Sequence, residues 1–117
     1  MRTQVVQLLG NEGYRIVCAR NAGETLAHLR EDPALMPSVL LTDMVTSGMT
    51  GTELGAAVRD LRPQLPVAIL TGADPDPKHR DGADGYWYVN KRYWRSALLA
   101  ALAEAIRSRS LDARPAR

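Results

Sequence analysis

Apolar positions along this chain switch between a helical and an unbroken strand-like spacing. Val5, Val6, Leu8 and Leu9 gather on one side of a helix over residues 3–9, after which Gly10 and Gly13 supply a stop and a turn. Tyr14-Arg15-Ile16-Val17-Cys18 reads as a strand. Asn21 with Glu24 three residues on has the form of a capping box, opening a helix to about Arg30 that Pro33 and Pro37 end. Val39-Leu40-Leu41-Thr42-Asp43 is an apolar run without alternation that stops on a carboxylate, the pattern of a strand covered on both faces. Thr50 with Glu53 predicts a second capping box, for a helix to about Arg62 with Leu54, Ala57, Val58 and Leu61 on its apolar face. Pro66 leads into Val67-Ala68-Ile69-Leu70-Thr71, another buried strand with a polar end. Pro75 and Pro77 break up residues 72–85, leaving room for a short helix after Pro77. Tyr86 to Val89 reads as the last strand, and Leu98, Leu99, Leu102 and Ile106 give an amphipathic final helix.

Helices and strands in alternation with short connections predict an α/β fold, a parallel sheet of about four strands flanked by helices. The pattern reads as one domain over residues 1–107, followed by a basic flexible tail at 108–117. In such a sheet, chemistry sits outside the carboxyl ends of the strands. Asp43, Thr71 and, two residues past Val89, Lys91 all fall there. The set is chemically coherent: a carboxylate can accept a phosphoryl group, a hydroxyl can bond a phosphoryl oxygen, and an ammonium can neutralise its charge.

Composition narrows the classes without choosing among them. With 117 residues, 45% hydrophobic and 24% charged, the chain fits one soluble domain, and it has no run of roughly 20 apolar residues that would span a bilayer. No membrane association and a cytoplasmic location are the expectations. The single Cys18 lies in a strand-like run, so a buried, inert thiol is expected. A formal charge of +2 conceals an arginine excess near the C-terminus that includes Arg107, Arg109, Arg114 and Arg117. Without interleaved aromatics there, the excess reads as a solvated helix end and tail, and no nucleic-acid partner is expected. His28 and His79 have no partner at a metal-ligand spacing, which argues against zinc. No glycine-rich phosphate loop follows any strand, which argues against a nucleotide-binding enzyme.

Taken in order, several segments resemble the receiver domain of bacterial two-component response regulators and hybrid sensor kinases. They are Leu41-Thr42-Asp43-Met44, Gly48-Met49-Thr50-Gly51-Thr52-Glu53-Leu54, Leu61-Arg62-Pro63, Pro66-Val67, Ile69-Leu70-Thr71-Gly72, Gly82-Ala83-Asp84-Gly85-Tyr86 and Asn90-Lys91-Arg92-Tyr93. The resemblance covers about residues 3–107 and implies a flavodoxin-like sheet. It implies that Asp43 is the phosphoacceptor, Thr71 the hydroxyl that follows the phosphoryl group, and Lys91 its pairing cation. Tyr88 takes the place of the aromatic switch, and the backbone carbonyl of Val45 that of a main-chain Mg²⁺ ligand. The implied partner is a sensor histidine kinase or phosphotransfer protein, and the implied role is that of a phosphoacceptor domain, not a stand-alone enzyme.

The departures set further expectations. Receiver domains begin with a central strand ending in a pair of acids that hold Mg²⁺ with the phosphoacceptor. This sequence starts at the helix that follows. Asp43 and one carbonyl would bind Mg²⁺ feebly, so weak phosphorylation is expected. Asp74 and Asp76, after the Thr71 strand, are the acids placed to substitute; Glu12 is at the wrong end of the sheet. Arg92 stands where the family usually has proline, and the fourth-helix segment is short and proline-rich. The alternative is a degenerate receiver that binds a partner without phosphorylation. With the central strand absent, Tyr14–Cys18 is expected to pair directly with Val39–Asp43 at some cost in stability, or the chain to form homo-oligomers.

Overall fold

The fold, taken from a computed structural model, is described for residues 2–45, 48–72, 82 and 84–112. The elements are α1 (Arg2–Asn11), α2 (Ala22–Glu31), β1 (Leu40–Asp43), α3 (Gly51–Leu61), β2 (Val67–Thr71), β3 (Tyr86–Asn90), a 3-10 turn (Lys91–Tyr93) and α4 (Trp94–Asp112). The three strands form one parallel sheet in the order β1-β2-β3. β2 is central and buried at every residue, as its unalternating sequence requires. The α/β architecture with a parallel sheet flanked by helices, expected from the alternation of elements, is therefore what the chain adopts.

The helices divide between two apolar clusters. Val5 and Leu9 of α1 and Leu98, Leu102 and Ala105 of α4 pack with Ala68, Leu70, Trp87 and Val89 of the sheet. Leu26 and Leu29 of α2 pack with Leu54 and Val58 of α3, joined by Leu65 and, at the margin, Leu40. Alternation in β3 follows from this division. Trp87 and Val89 are buried in the first cluster, while Tyr86, Tyr88 and Asn90 are half-buried.

Both predicted caps form, one in a shifted version. Thr50 and Glu53 make the full reciprocal box at the start of α3. At α2 the Asn21 side chain accepts the Glu24 N–H, but the Glu24 carboxylate turns back one residue further, to the Arg20 N–H at 3.2 Å and the Arg20 Nε at 3.1 Å. The Arg20 side-chain hydrogen bond is the larger cause that holds the Glu24 carboxyl below its usual range.

Several expectations are corrected. Residues 14–18 do not form a strand, and the sheet has three strands among the described residues, not about four. The run is β-prone, but a strand needs a ladder. Its ends are fixed by α1, which packs on one cluster, and α2, which packs on the other, and no backbone bond joins it to β1 among the described residues. Direct pairing with Val39–Asp43 is therefore absent. For the same reason Cys18 is exposed, not buried. The last helix begins at Trp94, a turn earlier than the apolar spacing indicates, because the Lys91–Tyr93 turn leads straight into it. The short helix suggested after Pro77 lies outside the described residues.

Two arginines stitch the loops to α3 through backbone carbonyls. Arg62 donates to the carbonyls of Leu29, Asp32, Leu35 and Leu61 at 3.0 to 3.1 Å, tying the α2–β1 connection to the end of α3. Arg62→Ala leaves these acceptors, three of them part-buried, without their donor. A loss of roughly 1–2 kcal/mol is expected, measured by urea unfolding, with no rescue by lysine, whose ammonium cannot fork to four carbonyls.

Candidate functional site

The strand register assembles the site. Asp43 pairs with Leu70, and Leu70 with Val89, so the carboxyl ends of all three strands lie level. Thr71 pairs with Asn90, and Lys91 is the next residue. Lys91 Nζ stands 3.3 Å from Asp43 Oδ1, a direct ion pair between residues 48 positions apart in sequence. Both side chains are a little under half exposed, at 42% and 47%, so the pair is worth no more than about 1 kcal/mol to stability and remains open to an incoming group. Thr71 is buried at 8% exposure, and Tyr88, three residues before Lys91, is half-buried on β3.

The loop behind Asp43 is held by close backbone packing. The Met44 N–H donates to the Leu70 carbonyl at 2.8 Å and the Gly51 N–H to the Met44 carbonyl at 2.6 Å, while Val45 bridges to Thr50. A side chain at Gly51 would put Cβ 2.6 Å from the Asp43 carbonyl oxygen, so glycine there lets α3 start directly against the end of β1 at Asp43. Gly55, one turn on, leaves room for Tyr86, whose ring atoms a Cβ would approach to 2.7 Å. Tyr86 is in turn covered by the Arg59 guanidinium at 4.5 Å from its centroid, and Arg59 donates to the carbonyls of Asp84, Gly85 and Leu65.

All three predicted residues, Asp43, Thr71 and Lys91, thus come to one edge, with Tyr88 on the strand that leads into Lys91. Glu12 is in the turn after α1, and Asp74 and Asp76 lie outside the described residues. Arg59, Gly51 and Gly55 were not singled out from sequence. A glycine in mid-helix costs about 1 kcal/mol relative to alanine, and Gly55 at the centre of an otherwise strong helix pattern was the available signal of a close contact. Arg59 carried none, since its partners are backbone carbonyls distant in sequence.

Among the described residues, no three of histidine, cysteine, aspartate and glutamate stand together as a metal site. Asp43 offers one carboxylate, already facing an ammonium, and Val45 a carbonyl. Mg²⁺ takes near-octahedral oxygen coordination, and the described donor set does not fit it. A cleft of about 250 Å³ between α1 and α4, lined by Gln4, Gln7, Leu8, Asn11 and Arg95, includes none of the site residues.

Comparison with known proteins agrees with this arrangement. The sequence model of the response regulator receiver domain matches residues 1–103. The chain is 33% identical over 72 residues to the response regulator receiver protein CpdR of Brucella abortus, covering 62% of this chain and 58% of that protein. It is also 33% identical over 107 residues to the uncharacterized transcriptional regulatory protein YkoG of Bacillus subtilis, covering 89% of this chain and 46% of that one. The chain thus spans about half the length of these curated relatives. A CheY-like response regulator receiver domain from Methanospirillum hungatei superposes with a TM-score of 0.75 at 25% identity, over 95% of this chain and 88% of that one. With its three strand ends in register and Asp43 beside Lys91, the chain belongs to the response regulator receiver domain family.

Proposed function

We propose that this chain is the receiver of a phosphorelay, taking a phosphoryl group on Asp43 from a phosphohistidine of a sensor histidine kinase or phosphotransfer protein in the cytoplasm. The carrying observation is the 3.3 Å approach of Lys91 Nζ to Asp43 Oδ1 at the level ends of parallel strands. In the transfer an Asp43 carboxylate oxygen forms the new P–O bond as the donor's P–N bond breaks. The electron pair leaves on the imidazole nitrogen, which takes a proton from solvent. Lys91 balances the charge that gathers on the phosphoryl oxygens, and Thr71, one residue beyond the Leu70 that faces Asp43, supplies a hydroxyl to one of them. Tyr88 then changes its packing as Thr71 is drawn to the phosphoryl group. The domain comprises residues 1–107, and the basic remainder begins as the last turn of α4, over residues 108–112.

Transfer is weak on this reading, because the described site has one carboxylate where a dication needs several oxygen ligands. That donor set also favours a second reading, a docking module that binds its partner whether or not Asp43 is modified. Lys91→Gln separates the two. If Asp43 accepts phosphoryl groups, the variant should lower the rate of uptake from phosphoramidate about tenfold or more, while its thermal unfolding shifts by no more than about 1 kcal/mol. No uptake by either protein with kinase binding intact supports the docking module instead, and an unchanged rate would remove Lys91 from the transfer.

A further inference from the structure

Lys91 reaches Asp43 from the far side of the sheet. β2 lies between the strands that lead to the two residues, so their backbones stand two strand spacings apart, roughly 10 Å. Lys91 also lies two residues past Val89, which is level with Asp43. If β3 ran on, each further residue would carry the chain about 3.3 Å beyond that level, and alternation would send Lys91 after Val89 onto the face that α1 and α4 pack. The strand stops instead. Asn90 is its last extended residue, with φ −73° and ψ 128°, and Lys91 opens the 3-10 turn that leads into α4.

Packing does not hold that turn, since none of its three residues is buried. Its flanks are anchored, by the pairing of Asn90 with Thr71 on one side and by the burial of Trp94 and Leu98 on the other. Between them the Asn90 side chain closes the turn, its Oδ1 accepting the Arg92 N–H at 2.8 Å across the Lys91 backbone. A helical turn cannot satisfy its own first N–H groups; asparagine is among the best residues for supplying the acceptor, and alanine among the poorest. Ser96 Oγ donates to the Tyr93 carbonyl at 3.1 Å and ties the far end of the turn to α4.

We propose that Asn90 is a positioning residue for Lys91, its side chain fixing the backbone turn from which the ammonium is held 3.3 Å from Asp43 Oδ1. Its consequence for phosphoryl transfer rests on the phosphorelay reading and is exerted through Lys91. Its consequence for the ion pair does not depend on that reading.

Both are measured on the full chain, as wild type, Asn90→Ala, Asn90→Ser, Lys91→Gln and the Asn90→Ala, Lys91→Gln double variant. Serine caps as well as asparagine and adds no charge. A water-soluble carbodiimide joins a carboxyl to an adjacent amine as an amide, so the Asp43–Lys91 cross-link reads their approach without phosphoryl chemistry. Lys91 is one of two lysines in the chain, and peptide mass spectrometry assigns the product. Its yield should fall about fivefold in Asn90→Ala and be restored in Asn90→Ser. Uptake from phosphoramidate should follow the same order, and in the Lys91→Gln background Asn90→Ala should change it by less than about twofold. No cross-link in the wild type, equal yields in wild type and Asn90→Ala, or an equal loss in Asn90→Ser would overturn the proposal. A full effect of Asn90→Ala on uptake in the absence of Lys91 would overturn it too, by showing that Asn90 acts on the fold at large. No uptake by any of the proteins would remove the phosphorelay reading alone, with the cross-link yields still deciding the role of Asn90.

Discussion

Replacing Asp43 by asparagine is expected to reduce phosphoryl uptake from a small-molecule donor by about a hundredfold or more, to background. The amide keeps the size of the carboxylate but removes the anionic oxygen that, on the proposed function, forms the P–O bond. Its cost to the fold is small, because Asp43 is 47% exposed and its ion pair with Lys91 is partly screened. The contrast between a large chemical effect and a stability change of no more than about 1 kcal/mol is the signature of a reacting group. Electrophoresis of the acyl phosphate, alongside a urea melt of the same preparation, reads both. Residual uptake in Asp43→Asn would mean that another acid is the acceptor.

The largest effect on stability is expected from Leu98→Ala. Leu98 has no exposed surface and lies in the cluster that fixes α4 to β3 and β2, together with Leu102, Val89 and Trp87. Truncation removes apolar burial and leaves a cavity among neighbours held by the sheet, a loss of about 3 kcal/mol. In a domain of this size that lowers the melting temperature by on the order of 10–20 °C. The effect reaches the site as well as the fold, since α4 braces β3, which ends one residue before Lys91. Calorimetry should show the shift, and a change of less than about 1 kcal/mol would show that α4 contributes little to holding the sheet.

The sequence made much of this arrangement legible because its strands are short, buried and sharply terminated. Val67–Thr71 has no alternation, so its burial on both faces and its polar end were readable together. The Thr50 and Glu53 box fixed the start of α3 to the residue. Asp43, Thr71 and Lys91 could be placed at one edge of the sheet from sequence because each lies at or just past a strand end, a position that sequence periodicity locates well.

What sequence could not show was pairing. Tyr14–Cys18 has every local mark of a strand, yet local propensity does not supply a neighbour, and among the described residues the segment forms no ladder with β1. The exposed Cys18 follows from the same fact. Arg59 and Arg62 were invisible for a related reason. Their acceptors are backbone carbonyls up to 33 residues away, and any residue type presents a carbonyl.

The central claim is that Asp43 is a phosphoacceptor, and the most direct test is mass spectrometry of the chain after incubation with a phosphorylated histidine kinase. Transfer of one phosphoryl group that hydroxylamine removes, located by fragmentation to Asp43, is the predicted result. No transfer while the kinase binds, or a phosphoryl group on any other residue, would contradict it.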